Sequence, residues 1–295
     1  MKPAAFDYAR PAHLDETCAL LAAEEDARII AGGQTLVPLM AMRLARPRLL
    51  VDIARIPDLA FVRADGDAVT IGATTRQCVV EQDQIVRAKL PLLAKVMPFV
   101  GHAPTRARGT VGGSLANGDS AAEIVLVAVT LGAILSYREN AGTVDVAASD
   151  FFVGPMMTLL PPAACLTAVR FPVWRDGRIG VGFHEVSARQ SDFAFVAAAA
   201  QIALDHDGTC RRLAAGIGAA TPLPMRLDSV GEALADTRIT EAAVRDAVTA
   251  ALANVEPLSD LHASAGYRRR VALSLAVRAI MDAHTSAQTR SAHAG

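Results

Sequence analysis

The chain has 295 residues, 52% of them hydrophobic and 20% charged, and 29 Lys and Arg against 30 Asp and Glu leave a formal net charge of −1. That length supports two or three subdomains with substantial cores, and the composition excludes a disordered chain. The basic residues are dispersed apart from short clusters at Arg43 to Arg48 and Arg268 to Arg270, which argues against a broad phosphate-binding face and against nucleic acid as a partner.

The N-terminus, MKPAAFDYARPAHLDE, lacks the apolar core of a secretory signal, which points to the cytoplasm. A helix is expected from about Asp15, read as an N-cap behind the apolar Leu14, through ETCALLAAEED. The strand ARIIAGG follows and ends on Gly32-Gly33. TLVPLMAMRLARP reads as a short helix or turn, and RLLVDI as a second strand. Residues 1–56 form a first α/β subdomain on this reading.

Past ARIPDL the sequence alternates, AFVRADGDAVTIGATT, as a hairpin turning at Asp65-Gly66-Asp67 would. A helix around IVRAKLPLLAKVM leads to RGTVGGSLANGDSAAEIVLVAVTLG, residues 108–132. There a Gly112-Gly113 pair and a lone carboxylate, Asp119, precede an apolar helix. Ser120 and Glu123 have capping-box spacing, so that helix is expected to start at Ser120 with its positive end toward the loop. AILSYRENAGTVDVAAS reads as a second hairpin around Asn140-Ala141-Gly142. The uncharged run 151–169 is nearly long enough to cross a bilayer, but Gly154, Pro155, Pro161 and Pro162 interrupt it, so it is not a membrane helix. Residues 57–176 make a second, α+β subdomain.

The third segment, 177–288, opens with the strand-like IGVGFHEVSA, continues through DFAFVAAAAQIAL and CRRLAAGIGAA, and closes with two helices. The last, from about Ala265 to His284, places Tyr267, Val271 and Leu275 at i, i+4, i+8 with Leu273, Val277 and Ile280 beside them, a packing stripe. The small, polar end TSAQTRSAHAG reads as disordered, with 289–295 assigned as the tail.

Cys18, Cys78, Cys165 and Cys210 lie far apart, with no C-x-x-C and no H-x-x-x-H, so neither a zinc site nor an iron–sulfur cluster is encoded. They read as thiols of a reducing compartment. No G-x-S-x-G elbow is present, and GIGAAT at 216–221 falls short of G-x-G-x-x-G. His102 and His184 read as structural. One repetition stands out: IIAGGQTL at 29–36 and TVGGSL at 110–115 both run from a β-branched residue through Gly-Gly to a polar residue and leucine. Either pair alone is most simply a turn. Together they can converge on one ligand, and amide-lined turns suit a diphosphate, with Gln34, Thr35 and Ser114 adding side-chain donors. Asp119 suits sugar or ribityl hydroxyls better than phosphate.

AGGQTLVPLMAMRLARPRLLVDI and RGTVGGSLANGDSAAE resemble the two FAD-binding signatures of the medium, flavin-carrying subunit of molybdenum hydroxylases, the carbon monoxide dehydrogenase and xanthine dehydrogenase superfamily. FHEVSARQSDFAFVAAAAQI and SDLHASAGYRRRVALSLAVRAIM extend the resemblance over nearly the whole chain. It implies an α+β protein with a vanillyl-alcohol-oxidase-type FAD-binding fold, two α/β subdomains around the flavin, and a C-terminal sheet-and-helix domain. It further implies an FAD site of Ala31, Gly32, Gly33, Gln34, Thr35 and Leu36 with Thr110, Val111, Gly112, Gly113 and Ser114. Asn117 joins these, Asp119 lies toward the ribityl or sugar hydroxyls, and Phe183 and the Leu159-Leu160 pair are candidates for the isoalloxazine ring. Ser120 departs from the proline that many relatives place after this aspartate.

The resemblance also implies partners: a small subunit with two [2Fe–2S] clusters and a large molybdopterin subunit, assembled as a dimer of heterotrimers. Electrons would pass from molybdenum through the clusters to this FAD and on to an external acceptor, with no catalytic residue and no metal on this chain. Two alternatives are a self-contained FAD-dependent oxidoreductase using a nicotinamide cofactor and a scaffold that has lost its flavin; the intact glycines oppose the second.

Overall fold

The computed structural model describes residues 2–139, 142–175 and 177–289. The first unit comprises β1 (Asp7–Ala9), α1 (Leu14–Ala23), β2 (Ala27–Ile30), α2 (Leu36–Ala41) and β3 (Leu49–Asp52), with its strands parallel in the order β1-β3-β2. Three-residue β1 has no hydrophobic period to announce it; it exists because β3 pairs with it. Helix α1 begins one residue before the expected cap. Its N-cap is His13, without a side-chain bond, and Asp15 sits in the first turn, where a negative charge suits the helix dipole. The Ala12 amide donates to the Glu16 carboxylate at 2.9 Å, which fixes this earlier entry.

The second unit contains β4 (Val62–Asp65), β5 (Ala68–Gly72), α3 (Gln77–Gln82), α4 (Gln84–Lys89), α5 (Pro91–Val96), α6 (Ala103–Arg108), α7 (Val111–Asn117), α8 (Glu123–Leu131), β6 (Ile134–Glu139), β7 (Gly142–Ala147), α9 (Ala148–Phe151), β8 (Phe152–Gly154), β9 (Met157–Thr158) and β10 (Cys165–Pro172). Its five-stranded sheet runs β4-β5-β10-β6-β7. The β4–β5 hairpin turns where expected, with Gly66 at φ 55°. β6 and β7 pair up to Glu139 and Gly142, while Asn140 and Ala141 of the expected turn lie outside the described residues. The single helix expected around IVRAKLPLLAKVM is two, α4 and α5. Leu90 leaves helical geometry (φ −124°, ψ 63°) because Pro91 cannot donate to the preceding turn and crowds the residue before it.

The third unit is an antiparallel sheet, β11 (Arg178–Ser187), β12 (Ala194–Leu204), β13 (Cys210–Gly218) and β14 (Met225–Arg226), with α10 (Asp228–Leu234), α11 (Glu241–Leu252) and α12 (Ala265–Thr289). Both faces of β12 are covered. Val196, Ala198, Ala200, Ile202 and Leu204 join the core under α10–α12, whereas Ala197 and Ala199 join the core of the second unit. A strand buried on both sides carries small apolar residues at every position, hence the run VAAAA.

Helix α12 differs from its expected form twice. It runs to Thr289, so residues 285–289 of the expected tail are helical, and 290–295 lie outside the described residues. Its buried face is Ala272, Ala276, Ala279, Ala283 and Ala287 with Leu275 and Ile280, while Tyr267 is exposed and Val271 and Leu273 only border the core. The alanines let the helix backbone lie directly on the glycines of β11. Arg268, from the same helix, is 3% exposed and donates to the carbonyls of Phe195 (2.5 Å) and Ala219 (2.7 Å) and to Asp260. Arg269 donates to the carbonyls of Leu252, Ala253 and Val255, so these two members of the C-terminal arginine cluster are structural. Arg268→Met removes the donor from the buried Ala219 carbonyl, from the Phe195 carbonyl and from Asp260, and should cost about 2–4 kcal/mol, read as a lowered denaturant midpoint; an unchanged midpoint would assign Arg268 no structural role.

Candidate functional site

The two glycine loops meet. A Cβ on Gly32 would lie 2.6 Å from the Arg108 carbonyl oxygen and 2.8 Å from the Gly109 Cα, so the loop after β2 rests on the backbone leading into α7. Between them opens a cleft of about 600 Å³, within the ~300–1,000 Å³ common for cofactor sites. Ala31 through Leu36, Thr110, Gly112, Gly113, Ser114, Asn117, Asp119 and Leu160 all line it. Val111 does not: it is fully buried and packs in the core behind the cleft.

The loops do different work. Gly33 has φ +70°, a conformation open to glycine, and among the described residues none of the five backbone N–H groups from Gly32 to Leu36 donates to a protein acceptor. Successive amides without protein acceptors are what an anion nest is made of. The Gln34 side chain folds back to donate to the Gly32 carbonyl at 3.2 Å.

The second Gly-Gly pair is not the turn that the sequence suggests. Gly112 and Gly113 lie in the first turn of α7, capped by Thr110, whose hydroxyl accepts from the Gly113 amide at 3.0 Å. The amides of Val111, Gly112 and Ser114 donate to the carbonyls of Thr75, Ala73 and Thr110. No amide nest remains there; the glycines act by their size. A Cβ on Gly112 would lie 2.4 Å from that of Ala73, whereas one on Gly113 would meet only the Thr110 hydroxyl, at 2.8 Å, and otherwise face the cleft.

The capping box is likewise corrected. Helix α8 starts at Glu123 with Ala122 as N-cap and no side-chain bond, so Ser120 caps nothing. Asp119 shapes the approach instead, its Oδ1 accepting from the Ala121 amide at 2.9 Å. Its other carboxylate oxygen has no partner among the described residues. Ser120 serves through its carbonyl, which accepts from the Ala219 amide of the third unit at 2.8 Å.

Of the ring candidates, Phe183 is 3% exposed and packs edge-on against Phe99 at 4.8 Å, outside the cleft, and Leu159 does not line it either. A large aromatic there cannot reach solvent because β11 turns it into the core of the second unit. The aromatic ring on the cleft is Phe193, 74% exposed, next to Ser191 at φ 66° and Asp192. Its exposure is set by the β11–β12 connection, which no sequence period marks. His102 also lines the cleft, while His184 is structural, its Nε2 lying 2.8 Å from Asp282. Cys165 borders the cleft, but burial pushes its thiol up to about 12, so it is inert. All four cysteines are free. One wall residue was missed as a functional group. Glu123, read only as a capping partner, is a 9% exposed carboxyl on the cleft.

Among the described residues no helix is long and apolar enough to cross a membrane. The fold and cleft define a protein with a cofactor-sized cleft between an α/β unit and an α+β unit. Residues 4–174 match the FAD-binding domain in molybdopterin dehydrogenases, and residues 182–283 the C-terminal domain of carbon monoxide dehydrogenase flavoproteins. The chain is 34% identical to the carbon monoxide dehydrogenase medium chain of Afipia carboxidovorans, over 98% of this chain and 100% of that one. It is 33% identical to subunit alpha of the 6-hydroxypseudooxynicotine dehydrogenase complex of Paenarthrobacter nicotinovorans, over 96% of each. The crystal structure of quinoline 2-oxidoreductase from Pseudomonas putida 86 superposes with TM-score 0.92 at 34% identity, covering 97% of this chain and 99% of that one. The chain belongs to the family of FAD-binding subunits of molybdenum hydroxylases that includes the carbon monoxide dehydrogenase medium chain, and is an oxidoreductase subunit.

Proposed function

We propose that this chain takes electrons into FAD from the [2Fe–2S] clusters of a small partner subunit and passes them to an external acceptor. A large molybdopterin subunit supplies the electrons, and the assembly is a cytoplasmic dimer of heterotrimers. The observation that carries this reading is the run of five unpaired amides, Gly32 to Leu36, opening on a cleft of cofactor size. The relatives' names support the assembly: one is a medium chain, another a subunit of a complex. Units 1–56 and 57–176 hold the cofactor, and 177–288 closes one side of it.

FAD supplies the redox chemistry, and the protein positions it. The nest binds the diphosphate; Thr35 and Ser114 add hydroxyl donors and Asn117 an amide; Asp119 accepts from ribityl or sugar hydroxyls; Leu160 and Phe193 offer apolar walls to the ring. The substrate is selected on the molybdenum subunit.

The protein, purified from its own cells with the chains it carries, should release about one FAD per chain on acid precipitation, because one nest serves one diphosphate. FMN, or flavin retained on peptide, would overturn the reading. Asp119→Asn keeps an oxygen for the Ala121 amide but loses the charge. It should retain the parent's apo melting temperature and bind FAD roughly tenfold or more weakly, the ~1.5–3 kcal/mol of a charged hydrogen bond. Flavin reduction by substrate on this chain alone would favour a self-contained oxidoreductase.

A further inference from the structure

Helix α7 runs along the cleft, and its two ends mark two ends of the site. At its start the Gly112 amide donates to Ala73 at 2.8 Å, and Gly109, just before the helix, accepts from the Gln77 amide at 2.9 Å. At its finish a Cβ on Gly118 would lie 2.9 Å from the Thr158 methyl of the β8–β9 hairpin, which leads to Leu160. Seven residues separate these ends by about 10 Å. The wall at the first end is loop 98–102. Val100, Gly101 and His102 line the cleft beside Gln77 and Thr105, and Gly101 packs on Thr105, whose carbonyl accepts from Gly109 at 2.7 Å.

No main-chain bond fixes the shape of that loop. The carbonyls of Pro98, Val100 and Gly101 accept from no backbone donor among the described residues. All three turn to one side chain, Arg106 of α6, whose Nη1 donates to them at 3.4, 3.2 and 2.7 Å. The other edge of the guanidinium is taken by Glu81 of α3: Nε and Nη2 donate to its two carboxylate oxygens at 2.7 and 3.2 Å. The pair is largely buried, with side-chain exposures of 12% and 24%. Glu81 is itself anchored, because its carbonyl accepts from Arg87 at 3.3 and 3.2 Å.

This arrangement uses what a guanidinium has and an ammonium lacks. A planar fork sits flat on a carboxylate by one edge and aims its remaining nitrogen in a fixed direction. Here that direction is the ring of loop carbonyls. With those oxygens drawn inward and Gly101 at φ 51°, the loop turns its other side to the cleft. Neither Arg106 nor Glu81 lines the cleft, so whatever they do for a ligand passes through the loop.

We propose that Arg106, steered by Glu81, is a positioning residue for the adenosine half of bound FAD, fixing the wall on which that half rests without touching the cofactor. This rests on the reading of the cleft as the FAD site. With the diphosphate on the nest and the ring against Leu160, the adenosine half lies toward the start of α7, against loop 98–102. A wall held in place beforehand does not have to be ordered when the cofactor binds, and that saving appears as affinity.

The test compares FAD with FMN, which carries the ring, the ribityl chain and one phosphate but no adenosine. Both are titrated by flavin fluorescence into deflavinated protein that keeps the chains it carries. Arg106→Lys retains the charge beside Glu81 but offers one ammonium to both the carboxylate and the loop. It should weaken FAD roughly tenfold and leave the Kd for FMN at the parent's value, so that preference for the dinucleotide falls by the same factor. Glu81→Gln keeps an oxygen for Nε but loses the charged fork, and should shift the preference in the same direction by less; it carries the comparison if Arg106→Lys does not fold. Arg87→Ala, which removes the donors to the Glu81 carbonyl and nothing from the loop, should bind both flavins as the parent does. An unchanged FAD-to-FMN preference in Arg106→Lys and Glu81→Gln would overturn the inference, whether both flavins were held as tightly as in the parent or both were weakened together. A loss in Arg87→Ala as large as that in Arg106→Lys would also overturn it, since any loosening of α3 would then suffice. A parent that binds neither flavin would overturn the FAD reading with it.

Discussion

Gly182→Ala should destabilise the chain by about 3 kcal/mol or more, enough to lower its melting temperature by roughly 6 °C or to leave it insoluble. The built Cβ would sit 1.9 Å from the Ala279 carbonyl oxygen of α12, and Gly180 has the same relation to Ala283. Backbone lies on both sides of the contact, so no side chain can rotate away. Relief requires lifting α12 off β11, which opens the core containing Ala198, Ala200, Ile202, Ala276 and Ile280. Gly266→Ala in the same helix is the control. It is exposed, with only the end of Arg270 within 4 Å, and should be neutral or stabilise by about 0.5 kcal/mol. Equal melting temperatures for Gly182→Ala and the parent would mean that helix and sheet do not touch through their backbones.

Gly113→Val should leave a folded protein that has lost its flavin. The isopropyl group enters the cleft, displaces the Thr110 hydroxyl that caps α7, and occupies space that the cofactor needs. Strain and lost contact together cost on the order of 2 kcal/mol or more, roughly 30-fold in affinity, while loss of the cap costs the fold about 1 kcal/mol. Its neighbour should behave oppositely. Gly112→Val drives its side chain into the Ala73 backbone, 2.6 Å from the built Cβ, so folding fails before binding can be asked about. Flavin per chain after gel filtration, set beside the apo melting temperature, separates the two variants. A Gly113→Val protein holding as much flavin as the parent would move the cofactor away from α7.

The sequence by itself determined the family and most of the residues that line the candidate cleft. Four ordered stretches carried the resemblance, and the paired Gly-Gly loops identified residues that line one cleft, because close backbone approach demands glycine and that demand is written in residue identity. It also determined the alternating hairpins, whose period is local. Tertiary structure decided what each loop does. The first leaves its amides unpaired, while the second spends them on Ala73, Thr75 and Thr110, partners that only folding brings near. It decided that α8 starts at Glu123, since a cap depends on the direction of chain entry, and that Phe193 rather than Phe183 reaches the cleft, since exposure depends on which way a strand faces. It decided above all the state of Glu123. As a letter in a sequence it is an ordinary surface-type acid; apolar packing around it and Glu185, from a strand 62 positions later, make it a buried acid for which neutrality costs less than charge.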